Sequence, residues 1–156
     1  MGNLKAKTLL EQFGFVDTDK KNPNHDTIQT WVYDNIDEVL KSVLPNRPAK
    51  VEKKQWEYQI VNSTYNSKYL IGAIDLKFDC RDFQGYPFNV YVEVKTSIPV
   101  LGELLRQLSA YKEFIRLTEN PLGDIFIVVA PNEQHERLII EQGYRFYKYN
   151  DPTKLF

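Results

Sequence analysis

The chain has 156 residues, 42% hydrophobic and 26% charged, and its 20 Lys and Arg against 21 Asp and Glu give a formal net charge of −1. That length and balance suit one soluble domain with its own core and exclude disordered, fibrous and strongly basic nucleic-acid-coating compositions. The single cysteine, Cys80, excludes an internal disulfide, a four-cysteine zinc site and a four-cysteine iron–sulfur cluster.

No run approaches the roughly 18 consecutive apolar residues of a membrane span, and residues 1–7 carry no signal-peptide pattern. A cytoplasmic protein with no membrane partner is therefore expected. In chain order, residues 4–13 have a short helical pattern and residues 17–24 read as a polar loop. Asp26 then has the chemistry of an N-cap for a helix carrying Ile28, Trp31, Val32, Ile36, Val39, Leu40 and Val43, stopped before Pro45.

From residue 50 the hydrophobic period changes to two, which predicts strands over 51–61, 69–78 and 86–95. Alternation assigns Trp56, Tyr58, Ile60, Ile74, Leu76, Phe78, Val90, Val92 and Val94 to one apolar face. The opposite face takes Glu57, Asp75, Lys77, Tyr91, Glu93 and Lys95. A hairpin centred on Asn66 places Glu57 opposite Asp75, and one centred on Gln84 places Asp75 opposite Glu93. Directly opposed Cβ atoms lie roughly 5 Å apart, so three carboxylates in one row repel unless something neutralises them. A divalent cation would do so, as would a solvated face on which Lys77 pairs with Glu57 or Glu93.

Residues 101–117 return to helical spacing through Leu104, Leu105, Leu108, Tyr111, Phe114 and Ile115. Residues 125–130 form a short apolar strand, 132–142 a helix ending at Gly143, and 144–149 a last alternating strand. The predicted fold is α/β with a mixed sheet in the order α-β-β-β-α-β-α-β. The last strand alternates aromatic and basic residues, which suits either base stacking or a charge-protected edge.

Gly72-Ala73-Ile74-Asp75 followed by Val92-Glu93-Val94-Lys95 resembles the PD-(D/E)XK nuclease superfamily, with Asp75 as first metal ligand and Glu93-x-Lys95 as the signature end. Gln107-Leu108-Ser109-Ala110-Tyr111, on the helix that follows, resembles the Gln-x-x-x-Tyr pattern of the RecB-like and lambda-exonuclease-like branch. The resemblance implies a restriction-endonuclease-like core over about residues 26–130 of a single domain spanning 1–156, with the C-terminal helix and strand at 131–149.

It further implies Mg²⁺- or Mn²⁺-dependent phosphodiester hydrolysis of nucleic acid, with DNA the expected partner. Asp75, Glu93, the Val94 carbonyl and Glu57 are the candidate metal ligands. Lys95 is the candidate for orienting water or balancing charge, Gln107 for positioning the substrate or the attacking water, and Tyr111 for packing or touching a phosphate. Branch members carry a further ligand near the first helix, for which His25, Asp34, Asp37 and Glu38 are the candidates. Two other classes stay open: a nuclease-fold module that binds nucleic acid or protein without cutting, and a structural α/β subunit that needs a partner protein; beside nucleic acid, the expected partners are a second copy in a homo-oligomer or a partner protein.

Overall fold

The computed structural model describes residues 22–64, 67–119 and 123–151. The helical pattern at 4–13 and most of the polar stretch at 17–24 lie outside the described residues. The elements are α1 (Pro23–Asp34), α2 (Ile36–Val43), β1 (Ala49–Thr64), β2 (Ser67–Asp82), β3 (Pro87–Val94), α3 (Leu101–Glu119), β4 (Ile125–Ala130), α4 (Glu136–Glu141) and β5 (Arg145–Lys148). They form a mixed α/β fold around a five-stranded sheet of order β1-β2-β3-β4-β5. The first three strands are antiparallel neighbours, whereas β3–β4 and β4–β5 are parallel. The predicted order holds, with the first helix divided in two.

That division sits at Asn35, whose side-chain amide donates to the Trp31 carbonyl at 2.8 Å. An asparagine that bonds backward in this way competes with the helix's own ladder. The helix also begins earlier than expected: Asn22, not Asp26, is the N-cap, its side chain accepting from the Asn24 N–H at 3.0 Å. Pro23 fills the first helical position, where its missing N–H costs nothing. Asp26 instead lies in the first turn, exposed, where a negative charge still favours the helix dipole. At the other end of the chain α4 is shorter than the predicted 132–142.

Helices cover both faces of the sheet. On one face Ile28, Val32, Ile36, Val39 and Leu40 of α1 and α2 pack on Leu76, Phe78, Val90, Val92 and Val94. Cys80 is buried in this layer, and burial, reinforced by the neighbouring Asp79 carboxylate, pushes its thiol up to about 12. Leu104, Leu108, Tyr111 and Ile115 of α3 form the helical stripe that covers the other face, where they meet Ile60, Ile74, Tyr91, Phe126 and Val128. The second layer includes Tyr91 and Phe126 stacked with ring centroids 4.8 Å apart. Among the described residues no helix is long and apolar enough to cross a membrane.

The β2–β3 register follows the centre at Gln84, the β1–β2 register follows the centre at Asn66 only between shifts at Val51/Lys53 and Ile60/Val61, and the single apolar face is not kept. Trp56 pairs with Leu76 and Tyr58 with Ile74, as expected. Yet Leu76 lies in the α1/α2 layer and Ile74 in the α3 layer, although strict alternation would place them together. β1 changes side at the same step: the Trp56 ring lies 5.9 Å from Tyr33 of α1, and the Tyr58 ring 6.0 Å from Tyr91. The cause is Glu57, whose φ of 52° rotates the strand through the left-handed region between those two rings.

The face expected to carry a solvated carboxylate row is therefore covered by α3. Lys77 lies on it with its ammonium 4.3 Å from the Tyr58 ring centroid and 3.8 Å from Asp79 Oδ1. The aromatic residues around β5 are used for packing: Trp31 stacks on Tyr147 at 5.8 Å, and Tyr144, Phe146 and Tyr149 are buried. Lys148 turns outward to Glu133 Oε2 at 2.8 Å, as a charge-protected edge requires.

Candidate active site

Six polar or charged residues are buried among the described residues: His25, Gln29, Asp75, Glu93, Lys95 and Gln107. Five of them lie on α1, β2, β3 and α3, and Lys95 lies one residue beyond β3. The β2–β3 pairing ends at Leu76 with Val92, so Asp75 and Glu93 occupy the next step on adjoining strands. Removing a charge from water costs several kcal/mol unless partners compensate, so such a cluster contributes little to stability and is a candidate functional site.

Asp75 is 0% exposed. Its Oδ2 accepts the Val94 N–H at 2.7 Å and lies 3.2 Å from His25 Nε2. The carboxylate thus continues, through its side chain, a contact between β2 and β3 where the backbone ladder has stopped. Gln29 holds the same residue by its backbone, donating from Nε2 to the Asp75 carbonyl at 2.8 Å. His25 and Gln29 are four residues apart on α1 and so share one helix face.

Glu93 is 1% exposed, and Lys95 Nζ stands 3.8 Å from its Oε1. Lys95 follows the last residue of β3, but its own N–H donates to the Val129 carbonyl at 2.9 Å. That bond extends the parallel pairing by one step and fixes the backbone from which the lysine projects.

On the other face, Gln107 Nε2 donates to the Tyr111 hydroxyl at 3.2 Å, and that hydroxyl donates to the Ala73 carbonyl at 3.4 Å. The Gln-x-x-x-Tyr pair is therefore tied to β2 two residues before Asp75. Both residues are buried, in the position that the packing reading of Tyr111 requires.

Glu57 is placed differently. It is exposed on β1 at the strand's change of face and is not brought into the buried cluster. Of the four first-helix candidates, His25 alone is buried and touches Asp75, while Asp34, Asp37 and Glu38 are exposed. Gln29 was not anticipated from the sequence; its spacing of one helical turn from His25 was the available signal.

Among the described residues no three His, Cys, Asp or Glu converge on one point. The donor set fits a cation that needs few protein ligands. Mg²⁺ and Mn²⁺ prefer hard oxygens, and Mg²⁺ is bound by one or two carboxylates with several waters, so Asp75, Glu93 and a strand carbonyl suit them. The set does not fit a closed zinc centre.

No family model and no curated protein sequence matches the chain. Three solved structures are similar in fold. EndoMS in its apo form is 20% identical, covers 84% of this chain and 48% of its own, and superposes with a TM-score of 0.47. For an EndoMS–dsDNA complex the values are 23%, 80%, 44% and 0.47. A repair endonuclease from Pyrococcus abyssi gives 17%, 88%, 50% and 0.48. The chain spans about half the length of each of these proteins.

Proposed function

We propose that this chain is a Mg²⁺- or Mn²⁺-dependent deoxyribonuclease of the PD-(D/E)XK superfamily, in its RecB-like and lambda-exonuclease-like branch. The observation that carries the reading is the burial of Asp75, Glu93 and Lys95 where the pairing of β2 with β3 stops, with His25 of α1 seated on Asp75. Gln107 and Tyr111 on α3 support the choice of branch.

Asp75 and Glu93, with the Val94 carbonyl, would hold the cation, which when bound polarises a phosphodiester and lowers the pKa of a water. The chain's own residues do the rest. The Val94 N–H and His25 fix the direction of the Asp75 carboxylate, so its reorganisation is paid before substrate arrives. Lys95, rooted by its bond to Val129, presents a positive group beside Glu93 that orients the attacking water and offsets charge developing on the phosphate. Gln107, on α3 and bonded to the Tyr111 hydroxyl, would position the substrate or the attacking water.

The test is incubation of the purified chain with end-labelled linear and closed circular DNA, single- and double-stranded, and with RNA, in Mg²⁺, Mn²⁺ or EDTA. Metal-dependent cleavage of DNA that disappears in Glu93→Ala, with unchanged circular dichroism, is the expected result. Resistance of circles would identify an exonuclease. Binding of DNA with neither cleavage nor calorimetric Mn²⁺ uptake would overturn the reading in favour of a non-catalytic nuclease-fold module.

A further inference from the structure

Asp75 is held at two points from a single helix face, and the second of these has no place in the metal chemistry. The β1–β2 pairing passes from Trp56 with Leu76 directly to Tyr58 with Ile74. Asp75 lies at the step passed over, where both strands change face. At that step the Asp75 carbonyl accepts from the Gln29 side-chain amide at 2.8 Å. Gln29 is 1% exposed, on a helix whose other inward residues are apolar Ile28 and Val32 and the buried His25. A leucine or methionine would be cheaper to bury at such a position, since a primary amide brings two donors and an acceptor that need partners.

From this geometry we infer that Gln29 is a positioning residue: it anchors the backbone of Asp75 so that the carboxylate stays aimed at the Val94 N–H and His25. The inference rests on the nuclease reading for its catalytic consequence, but not for its structural content. Rotation of the Asp75 peptide would turn Oδ2 away from Val94 and shift Oδ1 with it. His25 grips only the carboxylate, which can swing about its own side-chain torsions. Gln29 fixes the carbonyl, and the two contacts together define a direction that neither defines alone. Groups placed one bond behind a metal ligand typically change metal affinity by about 10–100-fold when removed.

Gln29→Met, which matches length but has no donor, is compared with wild type by amide hydrogen exchange, Mn²⁺ calorimetry and steady-state cleavage. The expected result is a cooperatively melting variant with Val94 exchange at least about 10-fold faster and Mn²⁺ affinity lowered about 10-fold or more. In cleavage, kcat falls while KM for DNA is nearly unchanged. Unaltered Val94 exchange and Mn²⁺ affinity would overturn the assignment.

A measurement on the wild-type chain covers the case in which the variant does not fold. The Gln29 side-chain amide resonance should show a through-hydrogen-bond coupling to the Asp75 carbonyl carbon, and its absence would overturn the anchor. If wild type neither binds Mn²⁺ nor cleaves, the nuclease reading fails, while Val94 exchange and the coupling still decide whether Gln29 holds Asp75.

Discussion

β2 and β3 lie side by side, yet they use alternation differently. Val90, Val92 and Val94 all face α1 and α2, so β3 keeps one side throughout. On β2, Phe78 and Leu76 face those helices, but Ile74, one alternation further on, faces α3. Asp75 is the residue at which the two strands cease to match. A regular β2 would have carried the Asp75 side chain to the α3 face, away from α1. The change of face frees it to reach His25 and the Val94 N–H instead. The candidate site therefore lies where an irregular strand meets a regular one, a position at which irregularities commonly re-aim a side chain.

The largest effects should come from the two layers themselves. Ile74→Ala and Leu76→Ala should each cost about 2–5 kcal/mol in urea unfolding, because both side chains are nearly fully buried. Their effects should add within about 0.5 kcal/mol in the double variant, because residues in separate layers share no packing partners. Strong coupling between them would place both on one face and remove the change of side.

A smaller difference separates Asp75 from Glu57. Asp75→Ala should destabilise the cation-free protein by about 1–3 kcal/mol, since the buried Val94 N–H and His25 lose their acceptor. Glu57→Ala, at an exposed position, should stay within about 0.5 kcal/mol. Equal losses at the two positions would mean that Asp75 is not held as described.

Much of this arrangement was legible in the sequence. Short turns fix antiparallel register by symmetry, so the centre at Gln84 sufficed to pair residue 76 with 92, whereas the pairing of 56 with 76 expected from a centre at Asn66 arises only because a register shift between Ile60 and Val61 offsets a turn in which Thr64 pairs with Ser67. The placement of Asp75 and Glu93 at adjoining steps of β2 and β3, with Lys95 just beyond β3, follows from the β2–β3 register. The faces were less legible, because period-two reasoning assumes extended backbone throughout. Neither glycine nor proline marks the step at which β1 turns: the residue with positive φ is Glu57, which has no special propensity for it.

Helix boundaries failed for a related reason. Asn22-Pro23 and Asp26 are both good helix starts, and the choice between them depends on tertiary contacts, here including the Asn22 amide donating to Thr96 Oγ1 at 3.4 Å. Gln29 was hidden because a glutamine on an amphipathic helix ordinarily faces solvent.

The N-cap contrast yields an effect of intermediate size that bears on the site. Asn22→Ala should cost about 1 kcal/mol, the usual loss of a capping side chain, whereas Asp26→Ala should cost only a few tenths. His25 lies in the first turn that this cap stabilises, so faster hydrogen exchange in Asn22→Ala should begin at residues 24–26 before it reaches Val94. Simultaneous loosening of both would show that the helix start and the carboxylate form one cooperative unit.

The smallest effect has the opposite sign and tests the turning point directly. Glu57 adopts a φ of 52°, where a side chain crowds the backbone at a cost of roughly 1–2 kcal/mol and glycine does not. Glycine also loses more chain entropy on folding, by about 0.5–1 kcal/mol, and gives back part of that gain. Glu57→Gly should therefore stabilise the chain by about 0.5–1 kcal/mol while leaving hydrogen exchange at Val94 unchanged. If the glycine variant is instead destabilised, the positive φ is not a strained feature of the fold. If Val94 exchange changes with it, the turn in β1 does more than admit the change of face: it also sets the aim of the carboxylate across the ladder, and Asp75 would then be positioned from β1 as well as from α1.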